Sequence, residues 1–169
     1  MTLLVPFDGS ALAEAALVRA TEFGRVFDQN VLAVSVIPDR NAEYARERGW
    51  IGTDEPFDRE AVVSKLHKQV TECCPSSDFR HEAVDRYATP GTIANCLRKT
   101  AEREQASMVF IGSENAGHIV TTITSVGSKV AADEAYDVVI VRHRSPSEIS
   151  TLSDANDHRT RKSDFYLPE

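Results

Sequence analysis

Apolar residues along this chain fall into short unbroken runs, separated by stretches where they recur every three or four positions. The first run, Thr2-Leu-Leu-Val-Pro-Phe7, stops at Asp8-Gly9-Ser10. An unbroken apolar run of that length predicts a strand covered on both faces. Ser10 then stands where a helix N-cap belongs, and Ala13, Ala16, Leu17, Ala20, Phe23 and Gly24 share one helical face, predicting a helix to about Arg25. The stripe is built of small residues, which lets a helix lie close against a sheet. Residues 31–37, Val-Leu-Ala-Val-Ser-Val-Ile, predict a second buried strand that Pro38 ends. The polar stretch 39–55 is too long for an ordinary strand-to-helix connection. It carries Tyr44, Trp50 and Ile51, and two readings stand for it, a lid or a variable insertion.

Pro56 suits the first turn of a helix over 57–73, whose apolar face is Val62, Val63, Leu66, Val70 and Cys73. Phe79–Arg86 predicts a more polar strand, hence one nearer a sheet edge. Pro90-Gly91-Thr92 predicts a turn into a third helix, with Ile93, Cys96, Leu97 and Ala101 inward. Residues 107–111 predict a fourth strand running into Gly112, residues 127–134 a fourth helix, and 137–142 a last strand. Strands alternating with helices imply an α/β fold with a single open five-stranded parallel sheet and helices on both faces, because right-handed crossovers allow little else. Such a sheet binds ligands beyond the carboxyl ends of its strands. The expected domain is 1–144. From Ser145 the periodicity vanishes and 145–169 reads as a flexible tail, its Phe165-Tyr166-Leu167 the one segment suited to docking.

Composition narrows the function classes. At 169 residues, 41% apolar and 27% charged, the chain suits one globular domain. A net charge of −7 speaks against nucleic acid as a partner, since phosphate neutralisation needs a clustered Lys/Arg surface. No apolar run is long enough to span a membrane, and residues 1–7 lack a basic flank, so they read as a strand and not a leader. Three cysteines, Cys73, Cys74 and Cys96, read as free thiols in a reducing, cytoplasmic compartment. The Cys73–Cys74 pair reads as a helix end before Pro75, with a redox or metal pair as the other reading. The five histidines show no ligand spacing, so no metal site is expected.

Two segments carry candidate chemistry. Gly112-Ser-Glu-Asn-Ala-Gly117 follows the fourth strand, and Gly127-Ser128 opens the helix after it. Glycines at a strand end and a helix start let backbone N–H groups approach phosphate, helped by the helix's positive end. Turn glycines with a plain helix cap are the other reading. Asp8 sits at the ligand-facing end of the first strand, either to accept hydrogen bonds from a ribose or an adenine amino group, or to form a turn ahead of Gly9. Neither a P-loop nor a G-x-G-x-x-G after the first strand is present.

Val5-Pro6-Phe7-Asp8-Gly9-Ser10 followed by Ala13, Ala16, Leu17 and Ala20 resembles the opening of the universal stress proteins. Ala106–Ser113, Gly127-Ser128 and the closing Asp137-Val-Val-Ile-Val-Arg142 are similar to that family's C-terminal half. The resemblance covers about 2–143, without 39–55 and the tail. It implies a Rossmann-like domain of the adenine nucleotide alpha hydrolase-like type. It also implies ATP or AMP as ligand and a homodimer through the last strand; any magnesium accompanying ATP would be held largely by phosphates and water. The nucleotide-binding branch carries Gly-x2-Gly-x9-Gly-(Ser/Thr). Gly117 and Gly127-Ser128 keep the last spacing, whereas four residues separate Gly112 from Gly117, and Lys129 and Val130 stand where Val and Ser/Thr are usual. By resemblance Pro6, Asp8 and Val36 surround adenine and ribose, while Ile111, Gly112, Gly117, Gly127 and Ser128 complete the site.

The resulting expectation is a cytoplasmic stress-response protein with an adenine nucleotide as regulatory ligand. A dimeric scaffold with an empty site and a weak ATPase are the alternatives. Strand 137–142, apolar and last in the chain, is expected to lie at a sheet edge that a second copy covers. Hydrolysis would need a base, for which Glu114 and His118 are the local candidates. No G-x-S-x-G elbow occurs for a serine nucleophile.

Overall fold

A computed structural model describes residues 1–113 and 136–142. Among them run β1 (Thr2–Pro6), α1 (Ala11–Phe27), β2 (Asn30–Pro38), α2 (Ala42–Glu47), α3 (Arg59–Cys73), β3 (Asp78–Val84), α4 (Pro90–Arg103), β4 (Ala106–Gly112) and β5 (Asp137–Val141). The five strands form one sheet in the order β3-β2-β1-β4-β5, every pairing parallel. The expected α/β architecture is present, and the predicted helix over 127–134 lies outside the described residues.

Alternation along each strand divides the core in two. Leu3 and Val5 of β1, Val31, Ala33 and Ile37 of β2, and Phe110 of β4 face α1 and α3. Leu4, Leu32, Val34, Val36, Val109 and Ile111 face α4. A strand with helices on both sides has no polar face to show, which is why β1 and β2 are almost wholly apolar, with Ser35 the one polar residue inside either strand. Each such Leu, Ile or Phe, once buried, contributes about 1.5–3 kcal/mol. Phe110 is fully buried and meets Phe23 of α1 edge-on, their centroids 5.3 Å apart.

Local chemistry sets the helix ends. Ser10 caps α1 by accepting the Ala13 N–H, and Asp28 closes it in the left-handed region at φ 54°. The helix runs two residues past the expected end. Pro56 does not open α3. That helix starts at Arg59, because Asp58 accepts the Glu60 N–H and so acts as the cap. Pro90 is the first residue of α4 and not part of a turn before it, since Thr89 accepts the Thr92 N–H. At the far end of α3, Cys74 donates its N–H to Val70 O. Cys73 and Cys74 are both free, with their Sγ atoms 3.8 Å apart. Burial first, then the neighbouring thiol, pushes Cys73 up to about 12, so it stays protonated at neutral pH.

The two rims of the sheet differ. β3 is an edge strand, as its polar sequence predicted, and it carries Arg80 paired with Glu104, and Glu82 paired with Arg103. β5 is the other edge and exposes Ile140.

Gly112, at the end of β4, lies against the first turn of α1. A Cβ there would meet Leu12 Cβ at 2.9 Å and the Leu12 backbone carbon at 3.1 Å. Backbone cannot yield as a flexible side chain does. Gly112→Ala is therefore expected to destabilise the fold by about 1–3 kcal/mol in urea denaturation; an unchanged midpoint would show that α1 shifts freely.

Candidate functional site

In the order β3-β2-β1-β4-β5 the chain leaves β1 to one side for β2 and returns on the other for β4. The carboxyl end of β1 is thus the place where such a sheet opens a crevice. The backbone there is held by side chains from three other elements. Phe7 extends the pairing by donating its N–H to Val34 O at 2.8 Å. Ser35, fully buried on β2, donates its hydroxyl to Phe7 O at 2.6 Å. Trp50 donates its indole N–H to Asp8 O at 2.7 Å. Gln69 of α3 donates to Gly9 O at 2.9 Å and to Glu14 Oε1 at 2.6 Å. Gly9 takes φ +81°, a conformation costly for side-chain-bearing residues, and this turns the chain from strand to helix. Asp8 Oδ1 accepts the Ser10 N–H at 2.9 Å, so the turn reading of Asp8 holds.

Beside this turn lies a cavity of about 280 Å³. Pro6, Val34 and Val36 form its floor at the ends of β1 and β2. The first turns of α4 supply one side through Ile93, Ala94 and Leu97, and Asp8 stands at the rim. Residues 39–55 build the opposite side, with Tyr44, Glu47, Arg48 and Trp50 facing in.

That segment is pinned in place. Ala45 is fully buried and Trp50 only 5% exposed. Lys65 of α3 donates to Gly49 O at 2.7 Å, Asn41 donates to Arg86 O at 2.8 Å, and Trp50 N–H reaches Ala45 O at 2.8 Å. The Tyr44 and Trp50 rings meet edge-on at 5.5 Å, and the Arg48 guanidinium sits over Tyr44, 3.4 Å from the ring centroid. Burial raises the Tyr44 pKa above 10.0; Arg48 opposes the shift, while Asp8 and Glu47 add to it. Its phenol is a neutral hydroxyl throughout the physiological range.

The structure therefore brings Pro6, Asp8 and Val36 together around one cavity. Ile111 and Gly112 lie on β4 and do not line the cavity formed by the described residues. Ile111 is buried against α4, and Gly112 packs on Leu12. Gly117, Gly127 and Ser128, with Glu114 and His118, fall outside the described residues. No cluster of three His, Cys, Asp or Glu suited to a metal occurs among the described residues. Tyr44, Arg48, Trp50 and the α4 wall were not among the predicted site residues. The signal for Tyr44 and Trp50 was the presence of aromatic residues in an otherwise polar stretch; Arg48 gave none.

Trp50→Phe keeps the ring and deletes the donor to Asp8 O. It is expected to cost about 1–3 kcal/mol, read by circular dichroism in urea, as it strands a part-buried carbonyl. Full stability in that variant would mean that water replaces the indole at no cost.

The sequence profile of the universal stress protein family matches residues 1–142. No curated protein matches. Among solved structures, a hypothetical protein whose biochemical function was assigned from its structure is 17% identical with a TM-score of 0.53; the match covers 86% of this chain and 97% of that one. A universal stress protein family member from Burkholderia pseudomallei is also 17% identical, with a TM-score of 0.50 and coverage of 84% and 96%. A universal stress protein solved in complex with cAMP is 21% identical, with a TM-score of 0.49 and coverage of 86% and 98%. The first two bear on the fold alone. The profile match, spanning the sheet from β1 to β5, decides the family: this chain belongs to the universal stress proteins.

Proposed function

We propose that the chain is a cytoplasmic stress-response protein that holds an adenine nucleotide, ATP or AMP, as a regulatory ligand. The observation that carries this reading is the apolar cavity at the carboxyl ends of β1 and β2 with Asp8 at its rim. Ligand sites on open α/β sheets fall at this edge, and small-molecule pockets pair apolar walls with a few placed polar groups. The described residues suit the nucleoside half of such a ligand. Pro6, Val36, Ile93 and Leu97 offer a slot for a flat base, and the Asp8 carboxylate offers an acceptor to ribose hydroxyls. At about 280 Å³ the cavity suits a nucleoside better than a whole triphosphate. The phosphates then fall to Gly112, Gly117, Gly127 and Ser128, with Ile111 beside them. Magnesium would be held mainly by phosphate oxygens and water.

The lining mixes aliphatic and aromatic side chains with Asp8, Glu47 and Arg48, and one Asp8 oxygen accepts the Ser10 N–H. A bound nucleotide would act by population shift, stabilising one arrangement of the β4–β5 connection in proportion to its differential affinity.

Denaturing the purified protein and chromatographing the supernatant is expected to release an adenine nucleotide. Calorimetry is expected to show ATP and AMP binding that Asp8→Ala weakens and Gly127→Val abolishes. No released nucleotide and no binding heat would leave only a scaffold.

One observation favours a second copy as partner. β5 pairs with β4 on one side only and, among the described residues, nothing is hydrogen-bonded to its other side, where Ile140 is exposed. A homodimer through β5 covers that edge. Light scattering is expected to give twice the chain mass for the native protein and a monomer for Ile140→Glu; a monomeric native protein refutes it.

A further inference from the structure

We infer that Tyr44 and Arg48 form a stacking wall for the ligand's base, so that the α2 segment gives the site a preference for purines. The inference rests on the nucleotide reading and extends it to residues outside the family-like motifs. Both side chains line the same cavity as the aliphatic Ile93 and Leu97 of α4, with Val36 beneath them at the end of β2. A flat ring entering the slot is thus bounded both by aliphatic carbon and by the guanidinium–phenol pair.

Three observations select stacking as the task of Arg48. Its guanidinium already lies over the Tyr44 ring, 3.4 Å from the centroid, so its orientation is set before any ligand arrives. Tyr44 is in turn backed by Trp50 at 5.5 Å, and Trp50 is hydrogen-bonded to Asp8 O, which ties the wall to the end of β1. A wall fixed in this way spends little entropy on binding. Among the described residues no carboxylate forms an ion pair with Arg48, so its planar fork remains available to a ligand. Charge argues against phosphate as its target. Asp8 and Glu47 line the same cavity, giving two carboxylates to one guanidinium, an unfavourable place for a further anion. A neutral purine suits it better. It offers a broad π face for the guanidinium and ring nitrogens that accept N–H donors. A pyrimidine offers a smaller face and leaves part of the wall uncovered.

The test is calorimetry on the full chain with adenosine, AMP and cytidine. The native protein is expected to prefer adenosine to cytidine. Arg48→Gln is expected to weaken adenosine and AMP by the same factor, about ten-fold, and to leave cytidine unchanged, so the base preference collapses. Arg48→Lys keeps the charge without the plane and is expected to behave like Arg48→Gln. Arg48 is exposed, so both variants are expected to melt with the native protein. Loss of AMP affinity with adenosine untouched would make Arg48 a phosphate contact and overturn the inference. Unchanged affinities throughout would overturn it too, with the nucleotide reading intact. Native protein that binds neither adenosine nor AMP would remove the nucleotide reading and the inference together.

Discussion

Three consecutive carbonyls at the end of β1, those of Phe7, Asp8 and Gly9, each accept a hydrogen bond from a side chain 28, 42 and 60 residues further on. A strand that ends inside a fold exposes backbone acceptors that the next strand no longer pairs. Leaving them unpaired in a water-poor place would cost about as much as a lost hydrogen bond each. Ser35, Trp50 and Gln69 remove that cost, and in doing so they fix where β2, the 39–55 segment and α3 stand around β1. The cavity is the space left between the ends of β1 and β2, the 39–55 segment and the start of α4. Its shape therefore follows from a backbone requirement.

This explains which parts of the fold the sequence declares. β1 and β2 announce themselves because both faces are covered and nearly every interior position is apolar, the buried Ser35 being satisfied by Phe7 O. α1 declares itself through its cap and small-residue stripe, and β3 through the polar residues an edge tolerates. The error at Pro56 has the same logic. Proline is compatible with a helical first turn, yet Asp58 two residues later supplies the hydrogen-bonding cap, and the cap decides where a helix begins. Residues 39–55 were illegible for a different reason. α2 has only six residues, too few to show a period, and the segment's contacts are side-chain bonds to distant backbone and ring contacts within itself. It forms one wall of the cavity.

The candidate site was legible to the same extent. Asp8 could be placed because strand ends in a parallel sheet share one rim, while Pro6 and Val36 were placed by the family resemblance alone. Gly112 shows the limit. Its lack of a side chain suggested an approach to phosphate, and the structure gives that same lack a packing duty against Leu12. The packing duty is by itself enough to require glycine at that position, so the residue type carries no separate report of phosphate.

The two rims of the sheet set a limit on how copies of this chain can add to one another. Arg80 and Glu82 on β3 are tied to Glu104 and Arg103 at the end of α4, so a strand docking on that side would have to break ion pairs and bury their charges. The β5 side carries valine and isoleucine instead. If the β5 rim takes up a second copy, as proposed, a body blunted along its other rim has a single growth point. Joining through it consumes it, so association by this route terminates at a closed pair and cannot propagate into a fibre.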